Sequence, residues 1–171
     1  MKNLIVTAVL TFLLCAGVKA QSYDAIIKTN PISLAFGNFN ATYEHVLNEK
    51  SSILGSLSYQ YRLLGVDVNA FGIGGAYRYY FTHAKKEVPS GFYVNPRIRL
   101  TFGSAAEVNY GAFQLGGEVG YQWAWDSGFV LDLGIGPNFT SLFGSYEDIA
   151  FDNDGATFIL PSLTIAIGYA W

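Results

Sequence analysis

Cysteine is almost missing from this chain: among 171 residues there is one, Cys15, and it lies in a leader-like N-terminal stretch. A secreted chain that loses its cysteine has no disulfide staple, so its stability must come from a core or from a surrounding membrane. Charge is scarce as well. Lys, Arg, Asp and Glu make up 13% of the residues, about half the ~25% of an ordinary soluble domain, and a soluble surface needs more. Past residue 20 no apolar run approaches the ~20 residues of a membrane-spanning helix. Basic charge is in deficit, with 10 Lys and Arg against 13 Asp and Glu. No basic patch is available for nucleic acid, and that class of partner is excluded.

The first twenty residues read as a targeting segment. Lys2 supplies a positive start, Leu4 to Val18 is mostly apolar, and Val18-Lys19-Ala20 has the small-x-small pattern of a cleavage site. The expectation is a cleaved signal peptide over 1–20, a mature chain starting at Gln21, and one barrel domain over 21–171. Loss of Lys2 and Lys19 would take the net charge from −3 to −5. A lipoprotein alternative would acylate Cys15, but Leu14 stands where a small residue is needed.

What is abundant is apolar surface, 51% of the residues, at positive mean hydropathy. Backbone polar groups in lipid must be satisfied within a helix or a closed barrel. With no helical span in the mature chain, the barrel is the membrane solution left. Alternation of period two runs along nearly the whole chain, as half-buried strands require. From Lys28 onward, Asn30, Ile32, Leu34 and Phe36 fall on one parity, with Thr29, Ser33 and Ala35 on the other. Seven more segments follow, with apolar rows exemplified by Phe39-Ala41-Tyr43, Leu57-Tyr59-Tyr61, Phe71-Ile73, Ile98-Leu100, Val119-Tyr121-Trp123, Leu131-Leu133-Ile135 and Leu163-Ile165-Ile167. Turn signals separate them at Gly37-Asn38, Asn48 to Ser51, Gly65 to Asp67, Thr82 to Gly91 and Asp126-Ser127-Gly128. The pattern predicts an all-β, eight-stranded antiparallel up-and-down transmembrane β-barrel with strands of roughly ten residues.

Two details separate this pattern from a soluble barrel. The polar rows are small and neutral, and the lysines Lys28, Lys50, Lys85 and Lys86 are read at strand ends or turns. Apolar-row aromatics gather near strand ends, with Phe36, Phe39, Tyr61, Phe71, Phe102, Phe113 and Phe139 toward one rim and Tyr79, Phe81, Phe92, Trp125, Phe129 and Trp171 toward the other. Two aromatic girdles around an aliphatic band describe a membrane slab.

The closing LTIAIGYAW, with Tyr169 two before Trp171, resembles the terminal strand signature read by the outer-membrane barrel assembly machinery. The mature chain resembles the small eight-stranded barrels of the OmpA and OmpX type, and its KTNPISLAFGNFNATYEH opening is similar to an outer-membrane barrel family of unknown function. The resemblance implies the outer membrane of a Gram-negative-type envelope, with outer-membrane lipid and the assembly machinery as partners, and it specifies no activity.

Seven charged side chains fall on the polar rows: Glu44, Arg62, Arg78, Arg97, Arg99, Glu118 and Asp132. An eight-stranded barrel is just wide enough for side chains to fill it, so these are expected to form an interior network that plugs the lumen. Arg97 and Glu118, near mid-strand on neighbouring segments, form the first expected pair. Four arginines against three carboxylates leave a second reading, a narrow selective pore or a bound small anion.

No catalytic, cofactor or metal site is expected. Of the two histidines, His83 falls in a turn and His45 at a strand end; neither stands at a marked spacing from Ser33 or Ser52. The acidic segment with Glu147, Asp148, Asp152 and Asp154 echoes a calcium loop, but Ala150 and Pro161 occupy its first and last ligand positions. Glycines such as Gly72, Gly74, Gly116, Gly134 and Gly136 lack a strand-to-helix context for phosphate binding and fit tight barrel curvature. The function that follows is a structural or surface-interaction barrel with a filled lumen; a small porin or solute transporter is the alternative, and a lipid-modifying enzyme a more distant one.

Overall fold

The computed structural model describes residues 24–63, 66–82, 88–105, 108–144 and 157–171. Eight strands close into an antiparallel barrel in which each pairs with its sequence neighbours and the first pairs with the last. They are β1 (Ala25–Thr29), β2 (Asn38–Asn48), β3 (Ser51–Leu63), β4 (Val66–Tyr80), β5 (Gly91–Ala105), β6 (Val108–Ala124), β7 (Phe129–Phe143) and β8 (Thr157–Ala170). A short helix, α1 (Pro31–Ala35), stands between β1 and β2. The all-β antiparallel architecture is the one that the alternation predicts. Expectations placed on the leader, Gly65, His83, Lys85, Lys86, Ala106 and the acidic segment around 146–155 lie outside the described residues.

Connections divide the barrel into two ends. Asp24, Trp171, the turn at Glu49-Lys50, the segment 88–90 and the Asp126–Gly128 turn lie at one, here the terminal end. Ala25 and Trp171 exchange backbone hydrogen bonds of 3.3 and 3.0 Å there. The α1–β2 junction and the ends of β3, β5 and β7 lie at the other, the loop end.

Strand lengths depart from the expected ten or so, running from 5 residues in β1 to 17 in β6. The departure is largest at the start. Asn30 to Phe36 was expected to continue a strand, but it is α1 and its caps. The Asn30 side chain accepts from the N–H groups of Ile32 and Ser33, and Pro31 takes the first helical position, where its missing N–H costs nothing. Gly37, at φ 74°, then turns the chain into β2, and a Cβ there would meet the Arg62 carbonyl at 2.5 Å. As a result β8 pairs with β1 only from Ile167 to Ala170, and above that level α1 packs between β2 and β8.

Three strand prolines fall where a ladder is interrupted, which removes the cost of their missing donor. Pro96 lies in the gap between Ala76↔Arg97 and Tyr79↔Val94. Pro137 lies between Gly116↔Asn138 and Val119↔Ile135. Pro161 lies in the part of β8 that has no β1 partner.

Side chains sort by parity as the alternation requires in β2 to β8. Phe39, Leu57, Ile73, Ile98, Leu115, Ile135 and Leu163 are exposed on the outside. Glu44, Ser58, Arg78, Asn95, Glu118, Asp132 and Ala166 are buried within. Apart from Asp67 and its cross-strand partner Arg62, at the loop ends of β4 and β3, the outward rows of the described strands hold no Lys, Arg, Asp or Glu. Outward aromatics pair near the terminal end, as in Phe92–Tyr121, Tyr121–Trp123 and Trp125–Phe129 with centroids 4.7, 4.4 and 5.3 Å apart. Phe102–Phe143, at 6.0 Å, lies toward the loop end.

Candidate functional site

Two groups of charges occupy the interior at different heights. The lower group seals the terminal half. Lys28 from β1, Glu44 from β2, Arg78 from β4 and Asp132 from β7 converge there, each at most 2% exposed. Lys28 Nζ lies 2.5 Å from Glu44 Oε2 and 2.8 Å from Asp132 Oδ2. Arg78 Nη1 lies 2.8 Å from Asp132 Oδ2 and 3.5 Å from Glu44 Oε2. Both cations also donate to Gln122 Oε1, each at 2.9 Å. Two positive and two negative groups thus balance, which is what burial of ions in low dielectric demands.

Two tyrosines complete this floor. Tyr80 donates to Glu44 Oε1 at 2.8 Å, and Tyr93 donates to Asp132 Oδ1 at 2.6 Å. The Arg78 guanidinium lies 3.7 Å from the Tyr93 ring centre, a cation–π contact. Room for Tyr93 comes from Gly120 and Gly134, where a Cβ would stand 2.4 and 2.6 Å from its hydroxyl. Beneath the floor, Ile26, Val88, Ala124, Val130 and Ala170 form an apolar plug. The segment 88–90 is drawn into it by Gln122 Nε2, which donates to the Pro89 carbonyl at 2.8 Å, and by Ser90 Oγ, which donates to the Gln122 carbonyl at 3.0 Å.

The second group stands higher, on β5 and β6. Arg97 Nη1 lies 2.8 Å from Glu118 Oε1. The same oxygen accepts from Ser162 Oγ and Thr164 Oγ1 at 3.0 and 2.9 Å, and Asn95 Nδ2 reaches Oε2 at 3.4 Å. Arg99, two residues along β5 on the same face, has no hydrogen bond or ion pair among the described residues.

Between the floor and the loop end is a cavity of about 490 Å³. Lys28, Arg78 and Asp132 line its bottom, Arg97, Arg99, Glu118 and Ser56 its wall, and Ile32, Phe36, Asn38 and Gln60 its upper boundary. Side chains therefore fill the terminal half of the lumen and leave a chamber above it.

Of the seven charges singled out in the sequence, the structure brings Glu44, Arg78 and Asp132 together below, and Arg97 and Glu118 above, with Arg99 beside them. Arg62 stands apart. It follows a register shift between Gln60 and Arg62, is 61% exposed, and faces Asp67 at 3.7 Å; it is no member of the interior network. Its parity pointed inward, but the register shift breaks the alternation just before it and sets it opposite the exposed Asp67. Lys28, read as a strand-end residue, is instead central to the floor, because β1 starts at Ala25 and gives Ile26 and Lys28 the inward parity. Tyr80 was missed, although it shares the parity of Arg78. Tyr169 and Trp171 lie at the terminal end, with Trp171 on the outside against Tyr43 at 6.3 Å. His45 is exposed and Ser52 fully buried, so those two residues form no nucleophile–base pair. Among the described residues no cluster of His, Cys, Asp and Glu could hold a metal ion, and no helix is long and apolar enough to cross a membrane.

These features define a closed eight-stranded β-barrel with a sealed terminal half and a chamber above it. The chain belongs to a family of proteins of unknown function (DUF3575), whose profile matches residues 6–156. That match takes in both charge groups, but not Ser162, Thr164 or the rest of β8. No curated protein and no solved structure matches the chain.

Proposed function

We propose that this protein is an integral outer-membrane barrel of a Gram-negative-type envelope that does not conduct, and that its cavity serves binding rather than passage. The observation that carries the non-conducting reading is the floor: Lys28, Glu44, Arg78 and Asp132 interlocked over the Ile26–Val88 plug. A solute crossing the lumen would have to disrupt several buried ion pairs at once, and leaving one buried charge without its partner costs about 3–5 kcal/mol.

The outward rows support the membrane. They expose aliphatic residues in a band with aromatics toward its edges, and a closed barrel leaves no strand edge unpaired in lipid where its ladders are complete. Outer-membrane lipid is then the solvent of that band, and the assembly machinery would read the strand ending in Tyr169 and Trp171. In this orientation the terminal end faces the periplasm and the loop end the outside. No catalytic role is assigned.

Two measurements test this reading. Vesicle flotation should carry the folded protein with the lipid, and planar bilayers should show no channel steps after its incorporation. Reproducible single-channel steps would favour the narrow porin, and a protein that stays in the buffer without detergent would remove the membrane reading.

A further inference from the structure

We infer that the chamber binds an anionic group, a carboxylate or a phosphate, through Arg99 with Arg97 beside it. The inference rests on the proposed binding role of the cavity and names the chemistry of what it takes.

The argument starts from the interior charges. The floor is neutral within itself, two cations against two carboxylates. Arg97 is matched by Glu118, whose Oε1 also accepts from Ser162 and Thr164 and whose Oε2 accepts from Asn95. Arg99 is left over: a half-buried guanidinium in the cavity wall with no ion pair or hydrogen bond among the described residues. Glu118 acts on it electrostatically but is already paired with Arg97, so two guanidinium groups share one carboxylate. A cation withdrawn from bulk water without a carboxylate of its own is unfavourable, and an incoming anion offsets that. The guanidinium fork matches the two oxygens of a carboxylate or phosphate.

The surroundings leave room for it. Across the ladders Arg99 faces Gly74 and Gln114, so one neighbour has no side chain and the other is a polar amide. Ser56, another lining residue, points a hydroxyl to within 2.6 Å of where a Gly74 Cβ would stand. A chamber of about 490 Å³ exceeds an anion alone. Its upper lining includes Ile32 and Phe36, at the place where α1 replaces the upper part of β1. The anionic group therefore arrives either free or as the head of an amphiphile whose apolar part lies against those two residues.

The test uses the full mature chain folded in neutral detergent, with heat-modifiable gel mobility as the check on folding. Calorimetric titrations with inorganic phosphate and acetate form one arm. Octanoate and octyl phosphate, below their micelle concentrations, form the other, with octanol as the neutral control. Binding in the first arm identifies a free anion, and binding in the second alone an anionic amphiphile. In either case R99Q should weaken binding about tenfold or more, R99K should weaken it less, and R62Q, at an exposed pair away from the cavity, should leave it unchanged. Folded wild-type protein that binds in neither arm, or binding that R99Q does not alter, would overturn the inference. Flotation and conductance would be unaffected by that failure, so it is distinguishable from failure of the membrane reading.

Discussion

Lys28 and Asp132, 104 residues apart in the chain, meet with Nζ 2.8 Å from Oδ2 at the centre of the barrel floor. The contact joins the first strand to the seventh, which β8 alone separates around the barrel. Because the floor is balanced charge for charge, it responds to single and paired changes differently.

Removing one partner leaves a buried charge without its counter-ion. K28M should therefore destabilise the folded barrel by about 3–5 kcal/mol. The double variant K28M/E44Q removes one charge of each sign, from two residues that touch, and should recover a substantial part of that loss. Urea unfolding in lipid vesicles, followed by tryptophan fluorescence, measures both. Equal losses in the single and double variants would mean that charge balance is not what the floor depends on.

Tyr93 offers a steric test with an internal control. An added methyl at Gly134 meets the Tyr93 hydroxyl first, at 2.6 Å, with nothing else closer than 3.5 Å. An added methyl at Gly120 meets the Leu133 carbonyl at 2.3 Å as well as the tyrosine. Each alanine should cost about 1–3 kcal/mol by overpacking. Adding Y93F should relieve G134A in part and leave G120A nearly as unstable as before. A double-mutant cycle reads the difference directly.

Gln122 ties the segment 88–90 to the charges above it. Q122A withdraws the acceptor shared by Lys28 and Arg78 and the donor to the Pro89 carbonyl. Hydrogen exchange across residues 88–92 should quicken, and stability should fall by about 1–3 kcal/mol. Unchanged exchange there would show that the apolar contacts of Val88 hold the segment without this clamp.

Arg99 is expected to lower the stability of the ligand-free barrel. R99M exchanges an unmatched cation for an apolar chain of similar length and should stabilise the folded state by roughly 1 kcal/mol. The same urea titration in vesicles reads it. A loss of stability would point to a partner for the guanidinium that the described residues do not include.

The architecture was legible in the sequence because membrane-type and soluble barrels alike impose period two, and this chain keeps it from Phe39 to Ile167 with few breaks. Which charges meet was legible only where parity and height coincide, as at Arg97 and Glu118. Parity holds only while the ladder keeps its register, so Arg62 looked interior although a register shift separates it from Gln60. The first strand was misread for a different reason. Asn30-Pro31 is a helix-start signal, with a capping side chain followed by a residue already fixed at helical φ, and it overrides the alternation of Ile32, Leu34 and Phe36. Once that helix is placed, β1 shortens to Ala25–Thr29 and Lys28 turns inward. The chamber itself is written nowhere in the pattern, since it depends on how large side chains from eight strands stack at each level.

All three tryptophans, Trp123, Trp125 and Trp171, stand on the outside of the barrel, 36%, 43% and 45% exposed. Quenching of their fluorescence by brominated acyl chains, in vesicles carrying the folded protein, reports directly on what that outer face touches. Strong quenching by bromolipid, together with weak quenching by aqueous acrylamide, is the result that a lipid-facing apolar surface requires. Efficient acrylamide quenching with no effect of bromolipid would place that surface in water and contradict it.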